Sequence, residues 1–164
     1  MAKAKDVANF FIDAAHKCDA EAMTNLRLQK LMYFAQAWCI VRNGQPLFDE
    51  PIKAWEYGPV VPPIYKKYRI CGSNPIAGTD DDFDYSAFSE KELSVLIDVF
   101  VEYGKYTTSQ LVSMTHKPGG AWSKTIQRET IPHDYMIAEL CNSKEPLKSI
   151  ADLVAELPEA EWEA

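Results

Sequence analysis

The sequence lacks an apolar run long enough to cross a lipid bilayer, which takes about 20 consecutive apolar residues. Its longest apolar stretch, residues 31–41, is shorter than that and is interrupted by Gln36. The first residues lead into an amphipathic pattern that includes Asp13, and this is not the pattern of a signal peptide. We therefore expect a cytoplasmic protein without a membrane partner.

Motifs for metal or disulfide chemistry are also scarce. The four cysteines stand at positions 18, 39, 71 and 141, and no pair has Cys-x-x-Cys spacing. Scattered cysteines are more typical of a reduced cytosolic protein than of a disulfide-stapled one. The three histidines are far apart in the sequence and lack the His-x-x-x-His or Cys/His spacing of zinc ligands.

Two segments have a superficial likeness to ligand-binding loops. Residues 119–125 contain Gly-Gly and Ser-Lys-Thr, but Ser123 and a preceding proline stand where a Walker A loop needs glycine. Asp80, Asp82 and Asp84 have the spacing of a calcium loop, but the sixth position is a tyrosine instead of a glycine. We interpret both segments as solvated loops, and we expect no cofactor, no metal and no catalytic residue.

Basic charge and glycine are in short supply. The 17 Lys and Arg residues against 24 Asp and Glu leave a net charge of −7, which opposes nonspecific binding to nucleic acid. Seven glycines and ten prolines indicate defined turns between elements and not low-complexity sequence. The length of 164 residues fits one domain with a sizeable core.

The sequence does contain a series of helical patterns with start and stop signals. Capping-box sequences begin at Ser89 and Thr107, and Thr24 and Gly44 bracket a long apolar segment. The predicted helices span residues 4–17, 24–42, 62 to 68 or 70, 89–104, 107–116 and 132–140, with a last short helix within 146–156.

The 24–42 helix is unusual because its polar side chains fall on one narrow strip. At about 100° per residue, Asn25, Gln29 and Gln36 share this strip, and most other positions are apolar. A helix with so narrow a polar strip is typical of the centre of a core.

Two basic residues of the same helix, Arg27 and Lys30, lie on its apolar side. Charges placed there usually find carboxylates, because an unpaired buried charge is costly. We hypothesise that Glu56 supplies the carboxylate, in a Lys30–Glu56 or an Arg27–Glu56 pair.

These patterns predict a mainly α fold. It is a single helical domain of about six helices around the buried central helix 24–42, with a small extended or β-ribbon piece near 47–57. Residues 52–57 alternate like a short strand that Gly58 and Pro59 would end. The alternative is an α+β fold with a real small sheet. We place the domain at 1–155 and an acidic tail at 156–164.

One part of the chain resembles a known family. The motifs are Leu28-Gln-Lys-Leu31, Pro46-Leu-Phe48, Ala54-Trp-Glu-Tyr-Gly-Pro-Val60, and a weaker echo at Thr115-His116 followed by Trp122. In these motifs the chain resembles the Panacea domain of SocA-like, phage-associated antitoxins, over residues 7–140. The family positions, most of them interpreted as fold-defining, are Leu28, Gln29, Lys30, Leu31, Tyr33, Trp55, Tyr57, Gly58, Pro59 and Val60.

The resemblance implies an antitoxin of a two-gene toxin–antitoxin module. It would bind a cognate toxin protein, encoded by the adjacent gene, and cover the toxin's active surface without turnover. An adaptor that delivers the toxin to a cytosolic protease is the alternative. Two further alternatives are a phage-associated protein with another binding role and a hydrolase that uses His116. At a helix end, however, an imidazole commonly bonds terminal carbonyls.

The candidate partner-binding residues are aromatic or basic. Trp55 and Tyr57 beside a Gly-Pro pair are equally typical of a binding groove and of core packing. The basic–aromatic cluster Tyr65-Lys-Lys-Tyr-Arg69 fits a solvated helix face, an acidic patch on a partner protein, or nucleic acid. The acidic tail with its tryptophan fits a disordered end or a short linear motif. The candidate set is Trp55, Tyr57, Tyr65, Lys66, Lys67 and Trp162.

Overall fold

A computed structural model describes residues 1–141 of the chain. The described part contains seven α-helices and one two-stranded antiparallel sheet. The helices are α1 (Ala4–Lys17), α2 (Asn25–Asn43), α3 (Pro62–Tyr68), α4 (Glu90–Gly104), α5 (Thr108–Thr115), α6 (Ala121–Lys124) and α7 (His133–Cys141). The strands are β1 (Lys53–Trp55) and β2 (Gly58–Val60), and short 3-10 turns lie at Arg69–Cys71 and Tyr85–Ala87.

Helix α2 is the centre of the fold, as predicted. Its start is capped by Thr24, whose side chain accepts a hydrogen bond from the Arg27 amide, and its end by Gly44 at φ 72°. Helices α1, α3, α4, α5 and α7 all pack against it. The predicted mainly α fold with a small β-ribbon is therefore confirmed. The seventh helix is the four-residue α6, which carried no sequence signal of its own.

The polar strip of α2 is buried and ties other segments to the helix. The Gln36 side chain accepts hydrogen bonds from the amides of Leu47 (2.7 Å) and Phe48 (3.3 Å) and donates one to the Phe48 carbonyl (2.8 Å). Buried backbone groups need such partners, because leaving them unpaired costs free energy. The amide side chain thus replaces a strand neighbour for residues 47–48.

The hypothesised ion pairs to Glu56 are wrong. Glu56 is exposed, whereas Arg27 and Lys30 are both buried as expected. Arg27 donates to the carbonyls of Tyr106 (2.8 Å) and Gly104 (3.1 Å) and lies 3.3 Å from a Glu21 carboxylate oxygen. The buried guanidinium therefore donates hydrogen bonds to carbonyl groups at and just after the end of α4. These carbonyls and the Glu21 carboxylate together stabilise the charge that the Glu56 carboxylate was expected to stabilise.

Both predicted capping boxes are present, at the starts of α4 and α5. Helical periodicity predicts that Leu93, Leu96, Ile97 and Phe100 of α4 face inward, but the buried face of the helix is rotated from this set. Leu96 is buried, but Val95, Val99 and Tyr103 are the other buried apolar residues of this helix. The remaining predicted residues, Leu93, Ile97 and Phe100, are half-buried against the core. The rotation follows from contact with two helices, because α4 packs on both α1 and α2.

The strand prediction was correct in place but incomplete. Residues 53–55 form β1, and the Gly-Pro pair that was expected to end the strand begins β2 instead. The register pairs Trp55 with Gly58, so Glu56 and Tyr57 form a two-residue turn. Residues 128–131 add hydrogen bonds to the outer side of β1, including Ala54 N to Glu129 O at 3.0 Å.

Helix α7 closes the fold against α2 and α6. Its Glu139 carboxylate accepts a short hydrogen bond from the buried Tyr33 hydroxyl. Burial raises the pKa of Glu139 above its ordinary value. The predicted helix within 146–156 and the acidic tail with Trp162 lie outside the described residues. No helix within residues 1–141 is long and apolar enough to cross a membrane.

Candidate partner-binding cleft

A cleft of about 390 Å³ lies between the start of α2, the β-hairpin and the end of α3. We call it the hairpin cleft. Its volume falls in the range of ligand pockets, on the order of 300–1,000 Å³. It is lined by Asn25, Leu26, Gln29, Lys30, Trp55, Tyr57, Val60, Tyr65, Arg69, Gly72 and Ser73. No carboxylate is among these lining residues.

Lys30 forms the floor of the hairpin cleft. Its side chain is fully buried, and Nζ donates a hydrogen bond to the Pro59 carbonyl at 3.0 Å. Within residues 1–141 no salt bridge to this ammonium occurs. Burial removes the ammonium from water and lowers the pKa of Lys30 to about 7.

Gly58 makes the close approach of the hairpin to Lys30 possible. Its φ of +114° is a conformation that side-chain-bearing residues rarely adopt. A Cβ at this position would lie 3.0 Å from Cε of Lys30 and 3.2 Å from Oγ1 of Thr115. The hairpin can therefore lie directly on α2 and α5 only because position 58 has no side chain.

Two amides of the α2 polar strip hold the walls of the cleft. Gln29 accepts a hydrogen bond from the Val61 amide (2.8 Å) and donates one to the Asn25 side chain (2.9 Å). Asn25 in turn donates to the Tyr65 carbonyl at 3.1 Å. This chain of hydrogen bonds connects α2 to the end of the hairpin and to α3, so the cleft is preformed in the fold.

The rim of the cleft is aromatic. Trp55 and Tyr65 meet edge to face with their ring centroids 5.2 Å apart. Tyr57, at the hairpin turn, is 71% exposed, and Leu26 on the opposite wall is 41% exposed. Two smaller cavities, of about 250 and 200 Å³, also border Trp55. The hairpin tip is therefore surrounded by concave surface.

The weaker second-half motif holds the hairpin from the other side. The Trp122 indole N–H donates to the Trp55 carbonyl at 2.8 Å, and the His116 ring packs edge-on against Trp122, 4.0 Å away. Nδ1 of His116 lies 2.7 Å from the Val112 carbonyl, which makes this nitrogen the donor. His116 thus has the structural role predicted for an imidazole at a helix end.

The basic–aromatic cluster is divided by the structure. Tyr65 and Arg69 line the hairpin cleft, while Lys66 is exposed beside it. Lys67 points elsewhere and forms an ion pair with Asp80, whose carboxylate also accepts a hydrogen bond from Asn9. The hydrogen bond from Lys67 is the main cause that lowers the pKa of Asp80.

The family positions predicted from the sequence come together around the hairpin. Leu28, Leu31 and Tyr33 are buried in α2, whereas Gln29 and Lys30 contact the hairpin segment directly. Sequence reasoning missed Leu26, Gly72 and Ser73 as lining residues, whereas Arg69 belongs to the predicted basic–aromatic cluster. Only the half-exposed Leu26, an apolar residue in the first turn of the central helix, had a signal that periodicity could have found.

Comparison with known families decides the relationship. The family described as Antitoxin SocA-like, Panacea domain, matches residues 28–123, which is more than half of the chain. The chain belongs to this family. Antitoxin SocA of Caulobacter vibrioides (strain NA1000 / CB15N) is 33% identical over 135 residues, covering 73% of this chain and 68% of that protein. No solved structure is a significant match.

The Panacea-domain match contains most of the hairpin cleft. Lys30, the whole hairpin and Trp122 lie inside residues 28–123, whereas Asn25 and Leu26 lie just before them. Membership of this family favours an antitoxin role. Among residues 1–141 no group of three or more His, Cys, Asp or Glu side chains is placed to hold a metal ion.

Proposed function

We propose that this protein is an antitoxin that neutralises a cognate toxin protein by binding it directly through the hairpin cleft. The observation that carries the proposal is the exposed Tyr57 at the tip of the hairpin, above a preformed aromatic cleft. Family membership supports the antitoxin role, and the shape of the cleft supports binding by contact.

The residue types at the rim fit a protein interface. Tyrosine, tryptophan and arginine are enriched among residues that dominate binding energy, and Trp55, Tyr57 and Arg69 lie together here. An exposed tyrosine supplies a large contact area with few rotatable bonds. We infer that these side chains become buried when the toxin binds.

The hydrogen bonding beneath the cleft is consistent with an antitoxin that covers the toxin's active surface without a chemical reaction. The polar side chains beneath the cleft are occupied in holding the fold: Gln29 holds Val61, Lys30 holds Pro59, and Asn25 holds Tyr65. In the proposed mechanism, one antitoxin molecule binds one toxin molecule. Its rigid surface blocks the toxin and is not chemically changed.

Co-expression with the product of the adjacent gene tests this proposal. We expect relief of growth arrest and a one-to-one complex in size-exclusion chromatography. Tyr57→Ala should weaken the complex by at least about 2 kcal/mol, or about 30-fold in Kd. Tyr135→Ala is the matched control, because Tyr135 is an exposed tyrosine that lines none of the three cavities around the hairpin.

The same assay separates coverage from proteolytic delivery. Growth rescue by coverage persists in a host that lacks its cytosolic proteases, whereas rescue by an adaptor disappears there and the toxin accumulates. A neighbouring gene product that is harmless, or that does not bind, contradicts the antitoxin proposal for this chain.

A further inference from the structure

The hairpin cleft has a charge that differs from the rest of the protein. The whole chain carries a net charge of −7, but the cleft lining contains Lys30 and Arg69 and no carboxylate. The acidic residue nearest in sequence, Glu56 of the hairpin turn, borders the two smaller cavities and not this one. A cationic lining in an acidic protein indicates a site that favours a negative ligand.

The two cationic groups occupy different depths. Arg69 is exposed at the rim, and within residues 1–141 no salt bridge engages its guanidinium. Lys30 forms the floor, where its ammonium contacts a backbone carbonyl and, within residues 1–141, no carboxylate. Where this ammonium is charged, below about pH 7, its field is screened less than that of an ion in water, because the surrounding dielectric constant is low.

The other lining residues of the hairpin cleft favour an apolar group on the ligand, next to its negative charge. Leu26, Trp55, Tyr57 and Val60 contribute apolar or aromatic surface, and Tyr65 stacks edge-on against Trp55. An aromatic or aliphatic side chain that enters the cleft would be buried by this surface. Any carboxylate adjacent to it along a peptide would then lie near the cationic rim.

The outer edge of β2 is not open to a peptide that would bind as an additional strand of the sheet. A peptide could add to a sheet by pairing with the outer edge of β2. Here Pro59 has no N–H, its carbonyl is taken by Lys30, and the Val61 amide is taken by Gln29. Because α2 covers this edge, recognition has to proceed through side chains in the cleft.

We propose that the hairpin cleft recognises an acidic peptide segment of the partner protein: an aromatic or aliphatic side chain enters the cleft, and a neighbouring Asp or Glu carboxylate meets Arg69 above Lys30. This inference rests on the proposed function and specifies the chemistry of the toxin segment that the cleft accepts. An incoming carboxylate would raise the pKa of Lys30 from its lowered value of about 7, because it would stabilise the charged ammonium.

Three synthetic peptides test the inference without any toxin: Ac-Glu-Phe-Glu-NH2, Ac-Gln-Phe-Gln-NH2 and Ac-Lys-Phe-Lys-NH2. The readout is the indole 15N–1H signal of Trp55 in the full-length, 15N-Trp-labelled protein, assigned with Trp55→Phe. We expect the glutamate peptide to shift this signal and to bind about tenfold more tightly than the glutamine peptide. The lysine peptide should bind most weakly.

Three variants locate the charge effect. Arg69→Gln, at an exposed position that tolerates substitution, should reduce the preference for glutamate to about threefold or less. Adding Lys30→Met to Arg69→Gln in a double variant should reduce the preference for the glutamate peptide further. Lys66→Gln is the matched control, because Lys66 is an exposed cation of the adjoining helix α3 that does not line the cleft, and it should leave the preference unchanged.

Several results would overturn the inference. Equal binding of the three peptides, no shift of the Trp55 indole signal at millimolar peptide, or a glutamate preference that survives Arg69→Gln and Lys30→Met would each do so. Failure here with intact growth rescue removes the acidic-segment inference and leaves the antitoxin proposal. Loss of rescue with intact peptide selectivity does the opposite.

Discussion

Lys30 gives the fold an unusual dependence on pH at the scale of a single residue. Burial lowers the pKa of Lys30 from 10.5 to about 7 in the folded protein. Below pH 7 the ammonium is charged in both states, and the folded state carries the full desolvation penalty. Between pH 7 and 10.5 the unfolded chain binds a proton that the folded chain has released, so this group makes folding more favourable as pH rises.

We therefore predict that the free energy of unfolding, relative to that of Lys30→Met, rises with pH. The rise should be about 1 kcal/mol per pH unit between pH 7 and 9, since one pKa unit corresponds to about 1.4 kcal/mol. Urea unfolding of both proteins at several pH values measures it. The subtraction cancels the other titrating groups, and parallel pH profiles for the two proteins would show that Lys30 keeps its ordinary pKa.

Gly58 provides a second prediction at this scale. Gly58→Ala introduces a Cβ into a backbone at φ +114° and 3.0 Å from the Lys30 side chain. Strain and overpacking together should lower stability by about 3 kcal/mol. Gly44→Ala is the control, because Gly44 also has a positive φ of 72° but nothing within 4 Å of its added Cβ.

We expect Gly44→Ala to lower stability by about 1 kcal/mol, from backbone strain alone. The difference between the two variants in thermal or urea unfolding then measures the close contact of the hairpin with α2 together with the greater strain at φ +114°. Equal losses would mean that the hairpin moves away from Lys30 at no cost.

Residue-level partners were the least predictable from the sequence. The burial of Arg27 and Lys30 followed from helical periodicity, but their partners did not, because the acceptors are mainly backbone carbonyls of Gly104, Tyr106 and Pro59. Every residue carries a carbonyl, so sequence cannot indicate which one an isolated lysine will meet. A carboxylate was the expected partner because Asp and Glu are the only partners of a buried cation that can be recognised from residue type.

At the scale of elements, the buried amides of α2 substitute for sheet partners. Gln36 satisfies three backbone groups of Leu47 and Phe48. Gln36→Ala would leave them unpaired, and we expect a loss of about 2–4 kcal/mol in the free energy of unfolding, measured by urea unfolding. Gln45→Ala, at an exposed glutamine just past the end of α2, should change stability by less than about 0.5 kcal/mol.

A loss below about 1 kcal/mol in Gln36→Ala would indicate that residues 47–48 find other partners when the amide is removed. A loss that is equally large in Gln45→Ala would place the effect outside the buried strip. Both outcomes contradict the role assigned to the polar strip.

The helices of this chain were more predictable from its sequence than the hairpin was. Helices with a capping side chain at Thr24, Ser89 or Thr107 were located to within about one residue, because the cap determines where the helix starts. The hairpin was recognised only in part. Its turn, Glu56-Tyr57, lacks the Asn-Gly type of signal, and a Gly-Pro pair usually ends a strand instead of beginning one.

At the scale of the whole molecule, motifs that are far apart in sequence meet at one place. Lys30 from α2 and Trp122 from α6 both contact the hairpin, through Lys30 Nζ to the Pro59 carbonyl and the Trp122 indole N–H to the Trp55 carbonyl. Trp55 and Tyr57 could be chosen from the sequence as aromatics beside a turn, and Tyr65 as part of the basic–aromatic cluster. Their assembly into a cleft could not, because it depends on the contact between α2, α3 and the hairpin.

The central claim is that the hairpin tip contacts the toxin, and site-specific photocrosslinking tests it most directly. The photoreactive residue benzoylphenylalanine would replace Tyr57 in one protein and Tyr135 in another, and each would be co-expressed with the product of the adjacent gene. The proposed contact predicts a covalent complex from position 57 and none from position 135. Crosslinking from position 135 alone would contradict it, because the toxin would then lie away from the hairpin cleft.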